Sequence, residues 1–307
     1  MVGVQRGSVV VPGNHDGVHA GHQALLARAR VLAAERGLDV VALTFDPHPM
    51  VTVAPERAPD PLTTLTRRTE LLLASGADRV EVAHFDAAYA AQSAEQWITN
   101  ELAGRLRAQA VVVGVDFRFG KGRGGDLESL RSIGAARGIA VDAVGEVQVS
   151  GTFERASSTA IRVALAQGDV EHAALLLTRP HSVDGTVVEG NKRGRTIGFP
   201  TANVAPDPIL LPLDGVYAVR ARTDEGQWLD GVANLGSRPT FAAGRSLEAH
   251  LFDFTGDLYG QRLRLAFLAR IRDEKKFDGI DALVAQIRTD ADAARAKLAR
   301  KPRGAEG

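Results

Sequence analysis

The chain has no cysteine among its 307 residues. That absence excludes disulfides, thiolate metal ligands and a thiol nucleophile, and it removes any argument for an oxidising compartment. No run of about eighteen apolar residues occurs, and residues 1–7 have no signal-like apolar stretch. Charge of one sign is not in excess either, since 37 basic residues balance 37 acidic ones, whereas nucleic-acid binding usually needs a broad positive field. We therefore expect a cytoplasmic protein whose partners include no nucleic acid and no membrane.

The first half alternates apolar β-rich runs with helical spacing. Residues 9–11 and 40–45 read as strands, and the apolar residues between them recur at the period of a helix. Later β-rich runs at 80–85, 110–113 and 139–144 are separated by further helical patterns, one of which opens with a capping box at Ser93 and Gln96. The pattern predicts a doubly wound, Rossmann-like α/β sheet.

The second half changes to strands in close succession. A break at Thr178-Arg179-Pro180 precedes it, because proline disfavours helix in the residue before it. Strand-like runs then follow at residues 183–188, 215–221, 228–233, 247–252 and 263–271. They indicate an antiparallel barrel or sandwich, followed by a final helix with Asp278 as N-cap and its apolar face at Ile280, Leu283, Val284, Ile287 and Leu298. At 307 residues and 45% hydrophobic content the chain can bury two cores, so we expect domains at 1–179 and 180–307.

Two histidines three residues apart mark a candidate anion site behind the first strand. His19 and His22 fall where a helix begins, so both rings can face one point, and Gly21 between them lets phosphates approach the backbone. Free N–H groups at the helix start suit a nucleotide triphosphate. Two alternatives remain open: surface histidines at a helix cap, or a metal site that adds His15 to the pair.

Two further segments have the composition of phosphate sites. Ser157, Ser158 and Thr159 form a hydroxyl-rich helix start with Arg162 one turn on, although an ordinary N-cap would look the same. Residues 190–203 are rich in glycine and cations, which suits wrapping phosphate, but a solvated basic hairpin is the alternative. The phosphate-binding candidates there are Gly190, Lys192, Arg193, Gly194 and Arg195. Thr201 and Asn203 alternate, so in an extended segment both can ligate a hard cation, with Mg²⁺ bound to ATP as the candidate.

Several of these strings together resemble one family. The H-x-G-H element and residues 44–49, 114–120 and 157–162 are similar, in order and spacing, to the amino-terminal half of the bifunctional prokaryotic FAD synthetases. Residues 190–203, which end in Pro-Thr-Ala-Asn, resemble the signature of riboflavin kinases. The resemblance implies an FMN adenylyltransferase domain at 1–179 and a riboflavin kinase domain at 180–307, the latter a six-stranded barrel with a carboxy-terminal helix. Riboflavin, FMN and ATP would be the substrates.

The resemblance also implies roles for single residues. His19 and His22 would contact the phosphates of ATP, with Asn14 close by. Thr201 and Asn203 would hold Mg²⁺ and nucleotide phosphate, and Glu248 would act as base toward the ribityl hydroxyl. The flavin region of the first domain would be bordered by Asp116, Phe117, Arg118 and Phe119.

The sequence departs from the family pattern at two positions near the first motif. Pro12 stands where an aliphatic residue is common, and His15 where an aromatic residue is expected. These departures leave two rival interpretations, namely a kinase whose adenylylation is weakened and a flavin-binding or regulatory protein on a degenerate scaffold.

Overall fold

The computed structural model describes residues 7–149, 155–190, 198–237 and 245–301. Contacts divide the chain into two compact units, Met1–Ser157 and Ser158–Gly307. The boundary expected between residues 179 and 180 stays a prediction. No helix in the described ranges is long and apolar enough to cross a membrane.

The first unit is built on a five-stranded sheet in which every paired strand is parallel to its neighbour. Its strands are β1 (Ser8–Pro12), β2 (Asp39–Asp46), β3 (Arg79–His84), β4 (Ala108–Gly114) and β5 (Ala140–Val144). Their order in the sheet is β3-β2-β1-β4-β5. The predicted doubly wound α/β class is confirmed. Because the chain leaves β1 in one direction to β2 and later returns to its other side with β4, a switch point lies between β1 and β4, where such sheets bind ligands.

Helices cover this sheet and bury two apolar clusters. They are α1 (Ala20–Arg36), α2 (Pro49–Val53), α3 (Leu65–Ala74), α4 (Ala87–Ala90), α5 (Ala94–Trp97) and α6 (Leu127–Ala135). Short 3-10 turns lie at Pro55–Arg57 and Lys121–Arg123, and α5 continues as a π-helix at Ile98–Arg105. α1 ends at Gly37, whose φ of 66° is left-handed and suits glycine. The capping box predicted at Ser93 and Gln96 is present at the start of α5.

The second unit is a closed barrel with helices before and after it. Helices α7 (Ser158–Ala166) and α8 (Val170–Leu177) precede it, and α9 (Ile280–Ala299) follows it. The strands are β6 (His181–Val188), β7 (Ala202–Pro206), β8 (Gly215–Thr223), β9 (Trp228–Ser237), β10 (Arg245–Leu251) and β11 (Arg262–Arg272). They close in the order β10-β7-β6-β11-β8-β9. The predicted barrel with a carboxy-terminal helix is confirmed, although the periodicity alone did not identify β7 as a strand.

Helix α9 packs its later turns on the outside of the barrel. Ala291, Ala294 and Leu298 join an apolar cluster with barrel residues, whereas Ile280, expected on the same face, is 61% exposed. The predicted N-cap was wrong: Gly279 occupies that position with extended backbone and no side-chain cap, so Asp278 lies one residue outside the cap. The buried contacts of α9 with the barrel therefore lie in its later turns, and its first turn has neither a capping side chain nor a buried residue.

Candidate active sites

A cavity of about 210 Å³ opens at the carboxyl ends of β1, β4 and β5, at the switch point of the sheet. The loop from β1 to α1 supplies His15 and His19 to its wall, and the first turn of α1 supplies Gly21 and His22. The segments after β4 and β5 supply the opposite wall.

His19 and His22 face each other across the start of α1. His19 is the N-cap residue and His22 lies in the first turn, with the two rings stacked 3.7 Å apart at 24°. His19 is only 7% exposed, so the surface-histidine alternative does not describe it. The first turn of α1 carries no acidic side chain, which leaves the helix N-terminus suited to an anion. Within the described ranges, no group of three His, Cys, Asp or Glu side chains could hold a metal ion.

His15 is a buried, neutral member of the same cavity wall. Its Nε2 donates to the carbonyl oxygen of Val11 at 3.0 Å, and its ring lies edge-on to His22 at 4.9 Å. Complete burial lowers the pKa of His15 to about 4, against the opposing effect of that hydrogen bond. The residue has a left-handed φ of 51°, which is uncommon outside glycine. His15 therefore adds no positive charge to the cavity near neutral pH.

Buried polar contacts hold the loop that carries these histidines. The carboxylate of Asp16 accepts from the backbone N–H of Leu62 at 2.9 Å and of Thr63 at 3.3 Å. Beneath it, Arg68 Nη1 donates to the carbonyl oxygen of Asn14 at 3.2 Å. The side chain of Asn14 lies 3.2 Å from His48 Nε2 and is not part of the cavity wall.

The four residues expected around the flavin divide into two pairs. Asp116 and Phe117 line the cavity. Arg118 instead lies 3.1 Å from Asp126, and Phe119 is buried in the core, where its ring is 5.5 Å from Phe117 and 5.0 Å from Trp97. The structure therefore brings Asp116 and Phe117 to the cavity, while Arg118 and Phe119 support the loop from outside it.

Arg155 is a cavity residue that the sequence analysis did not identify. Its guanidinium contacts Asp116 at 2.5 Å and Glu146 at 2.7 Å, and all three side chains line the cavity. The hydrogen bond from Arg155 holds the pKa of Asp116 below its usual range. Ser157 also lines this cavity, whereas Ser158, Thr159 and Arg162 lie on α7 of the second unit. The one feature of the sequence that could have indicated Arg155 is its place shortly before the segment Ser157–Arg162.

A second site lies on three adjacent strands of the barrel. Glu248 on β10 is directly opposite Asn203 on β7 and opposite Asn234 on β9. Directly opposed residues have Cβ atoms about 5 Å apart on the same face. Because the flanking residues Leu247 and Ala249 are buried in the barrel, Glu248 faces outward. The structure thus places a carboxylate between two amides on the barrel's outer surface.

The side of the barrel that carries Glu248 forms a cavity of about 330 Å³ with α9. Thr201, Glu248 and Asn234 line it from the barrel, and Leu283 and Ile287 line it from α9. Thr201 also borders a smaller cavity of about 80 Å³ on the other side of its segment, together with Val187, Pro200, Ala202, Ala249, Leu251, Phe254, Gly256, Asp257, Leu258 and Tyr259. Thr201 therefore stands between two cavities.

Gly190 packs against Asn203 so closely that a Cβ at position 190 would collide with the Asn203 amide. A larger residue at position 190 would therefore have to displace the Asn203 amide. The remaining candidates of the basic loop, Lys192, Arg193, Gly194 and Arg195, lie outside the described residues.

Comparison with known proteins matches both units. A family described as FAD synthetase matches residues 2–160, and one described as riboflavin kinase matches residues 177–298. The bifunctional riboflavin kinase/FMN adenylyltransferase of Escherichia coli K12 is 41% identical over 287 residues, covering 93% of this chain and 91% of its own. That of Pseudomonas fluorescens is 42% identical over 296 residues, covering 96% and 94%.

Among solved structures, a protein from Streptococcus pneumoniae described as a macrolide-efflux protein has a TM-score of 0.87 and 34% identity, with 95% of each chain covered. The similarity to this structure and to the curated relatives covers nearly the whole chain. The two family matches follow each other in the same order as the two units. The chain therefore belongs to the bifunctional riboflavin kinase/FMN adenylyltransferase family.

Proposed function

We propose that the barrel unit transfers the terminal phosphoryl group of ATP to riboflavin, giving FMN and ADP. In the same proposal the α/β unit transfers the adenylyl group of a second ATP to FMN, giving FAD and pyrophosphate. The observation that carries it is that each unit has a cavity of its own, whose lining residues lie within the stretch matched by the corresponding family. The cytoplasmic location expected from the sequence stays a prediction.

In the kinase reaction, Glu248 is the base. Phosphorylation of a primary alcohol requires a group that accepts the hydroxyl proton and orients its oxygen toward the γ-phosphorus. Glu248 is half-buried, lines the larger cavity and stands directly across from Asn203. Glu248 therefore lies beside the residue proposed to bind the metal and the phosphate. The riboflavin hydroxyl and the γ-phosphoryl group would meet next to its carboxylate.

Thr201 and Asn203 are the residues proposed to hold Mg²⁺. A hydroxyl and an amide oxygen are hard donors of the kind that magnesium binds together with substrate phosphates and water. The close packing of Gly190 on Asn203 fits this role, since it leaves a side-chain-free approach for phosphate beside the amide. Magnesium, when bound with ATP, would neutralise charge on the triphosphate.

In the adenylyl transfer, an oxygen of the FMN phosphate attacks the α-phosphorus of ATP and the bond to pyrophosphate breaks. His19, His22 and the N-terminus of α1 stabilise the negative charge that develops on the moving phosphates. Arg155 adds a cation to the same wall, and an arriving triphosphate competes with Asp116 and Glu146 for it. No covalent enzyme intermediate is needed.

The experiment is a time course of riboflavin, FMN and FAD with purified protein and MgATP. Riboflavin should give FMN and then FAD, and FMN supplied alone should give FAD. Kinase activity without FAD formation from FMN would leave a kinase with a weakened transferase half. Tight flavin binding with neither turnover would instead identify a flavin-binding protein.

A further inference from the structure

The backbone ladder between β7 and β10 ends just before Thr201. Its register pairs Leu247 with Val204, Glu248 with Asn203 and Ala249 with Ala202. Continuing the ladder would place Thr201 opposite His250, but the register stops at Ala202, and Pro200 has no N–H to donate to a pair further along. Thr201 therefore lies beyond the last backbone pair that fixes β7 to the strand carrying Glu248.

The side chain of His250 extends the attachment past that point. Its Nδ1 donates to the carbonyl oxygen of Pro200 at 2.8 Å. That carbonyl belongs to the planar peptide that joins Pro200 to Thr201. The hydrogen bond therefore fixes the orientation of this peptide plane, and with it the position of the Thr201 Cα and side chain. His250 and Glu248 are alternate residues of one strand, so they share a face, and both line the larger cavity.

Two aromatic neighbours contact the imidazole of His250. The ring of Phe199 lies edge-on at 5.4 Å and 74°, and the ring of Phe252 at 5.8 Å and 71°. Phe252 is itself covered by the Arg295 guanidinium, 4.2 Å from its ring centre. These contacts favour the rotamer that directs Nδ1 to Pro200.

We propose that His250 is a positioning residue for the kinase reaction, acting through Pro200 to hold Thr201 beside the Glu248–Asn203 pair. The inference rests on the proposed function, in which Thr201 binds the metal and phosphate and Glu248 accepts the proton. His250 exchanges no proton with the substrate. Loss of the His250 contact would weaken MgATP binding, because Thr201 contacts MgATP in this proposal. Glu248 would keep its position, because the backbone ladder holds it independently of His250.

The pH dependence of the kinase distinguishes a positioning role of His250 from a role in proton transfer. The Nδ1–H donor is present both in the neutral tautomer that bonds Pro200 and in the imidazolium, so the bond persists when Nε2 is protonated. Asp253 interacts electrostatically with His250, and the described charged residues that line the same cavity are Glu248, Arg272, Glu274, Lys275 and Asp290. None of them has to change its charge for His250 to hold Pro200. The pH profile of the kinase should therefore be the same with and without the imidazole.

Two substitutions separate the hydrogen bond from the ring. His250→Phe keeps a ring between Phe199 and Phe252 but has no donor, whereas His250→Asn keeps an N–H donor near the position of Nδ1 and has no ring. We expect His250→Phe to raise the KM for MgATP by about five-fold, the equivalent of one neutral hydrogen bond. His250→Asn should remain within about two-fold of wild type, less than half of that bond's value. The KM for riboflavin and the pH profile should not change in either variant.

The matched control is His84→Phe, at an exposed histidine of the first unit, which should leave all kinase constants unchanged. Thermal unfolding confirms that each variant is folded, and His250→Leu replaces His250→Phe if the phenylalanine variant does not fold. A wild-type KM for MgATP in the donor-free variant would overturn the proposal, as would equal impairment by asparagine and phenylalanine. If a His250 variant lost an ionisation from the pH profile of the kinase, the proposal would be overturned, because His250 would then take part in proton transfer. A wild-type protein without riboflavin kinase activity would overturn the proposed function and, with it, the role of His250.

Discussion

Replacing Arg220 with methionine removes the cation through which the barrel holds the carboxyl end of α9. Arg220 lies on β8 and is 2% exposed. Its Nη2 donates to the carbonyl oxygens of Leu298 at 3.1 Å and Lys301 at 2.8 Å, and its Nε donates to Asp230 at 2.9 Å. A cation at this end of a helix is also favoured by the helix dipole. Methionine fills a similar volume but has no donor for these carbonyl groups.

The two carbonyl bonds set the size of the effect. At about 1.5 kcal/mol for each hydrogen bond from a charged donor, they account for about 3 kcal/mol of the unfolding free energy of the second unit. The ion pair with Asp230 is left out of this figure, because its attraction is offset by the cost of burying the cation, which methionine removes. For a unit of this size, about 3 kcal/mol corresponds to a fall of roughly 6–12 °C in Tm.

The assay uses the two tryptophans of the chain, Trp97 in the first unit and Trp228 in the second. In a Trp97→Phe background, urea unfolding followed by fluorescence reports Trp228 alone. Arg222→Met is the matched control, since Arg222 is exposed two residues further along the same strand, and it should change the free energy by less than about 0.5 kcal/mol. Equal losses in the two variants, or a loss below about 1 kcal/mol at Arg220, would refute the reasoning.

Two further predictions follow from burial and close packing. Because burial lowers the pKa of His15 to about 4 from 6.5, the unfolded state binds more protons as the pH falls, and this residue should cost the first unit about 2 kcal/mol of stability between about pH 7.5 and about pH 5. His15→Phe should lose that much less over the same interval in urea unfolding followed by Trp97 fluorescence in a Trp228→Phe background, and an equal loss would contradict the burial argument. Gly190→Ala should raise the kinase KM for MgATP roughly ten-fold, since the new Cβ collides with Asn203. Gly279→Ala should leave this KM unchanged, because a Cβ at position 279 meets open space. Similar KM values for MgATP in the two variants would count against the close packing of Gly190 on Asn203.

The sequence predicted all the described strands except β7, because their β-rich runs are local signals. β7 was not identified as a strand, since Val204 is its only β-branched residue and prolines stand at its end and shortly before its start. Its pairing with β6 and β10 is a tertiary property. Asp278 looked like an N-cap because of its residue type, but the helix begins one residue later than that interpretation requires.

Residue spacing identified His19 and His22, since two residues three apart at a helix start must lie on neighbouring sides of one turn. Arg155 could not be identified in that way, because its partner Asp116 is 39 residues earlier in the chain. His250 also owes its proposed role to a contact across 50 residues. Phe119 follows Phe117 by two positions but is buried in the core, and its expected place at the border of the flavin region stays a prediction.

The central claim is that each unit carries out its own reaction with its own residues. Glu248→Gln and His22→Ala in the full chain test it directly, with riboflavin phosphorylation and FAD formation from supplied FMN measured separately for each variant. We expect Glu248→Gln to lower riboflavin phosphorylation by about a hundred-fold or more, and His22→Ala to lower FAD formation strongly, with the other reaction within about two-fold in each case. Comparable losses of both reactions in either folded variant, or an unchanged rate of the assigned reaction, would contradict the account.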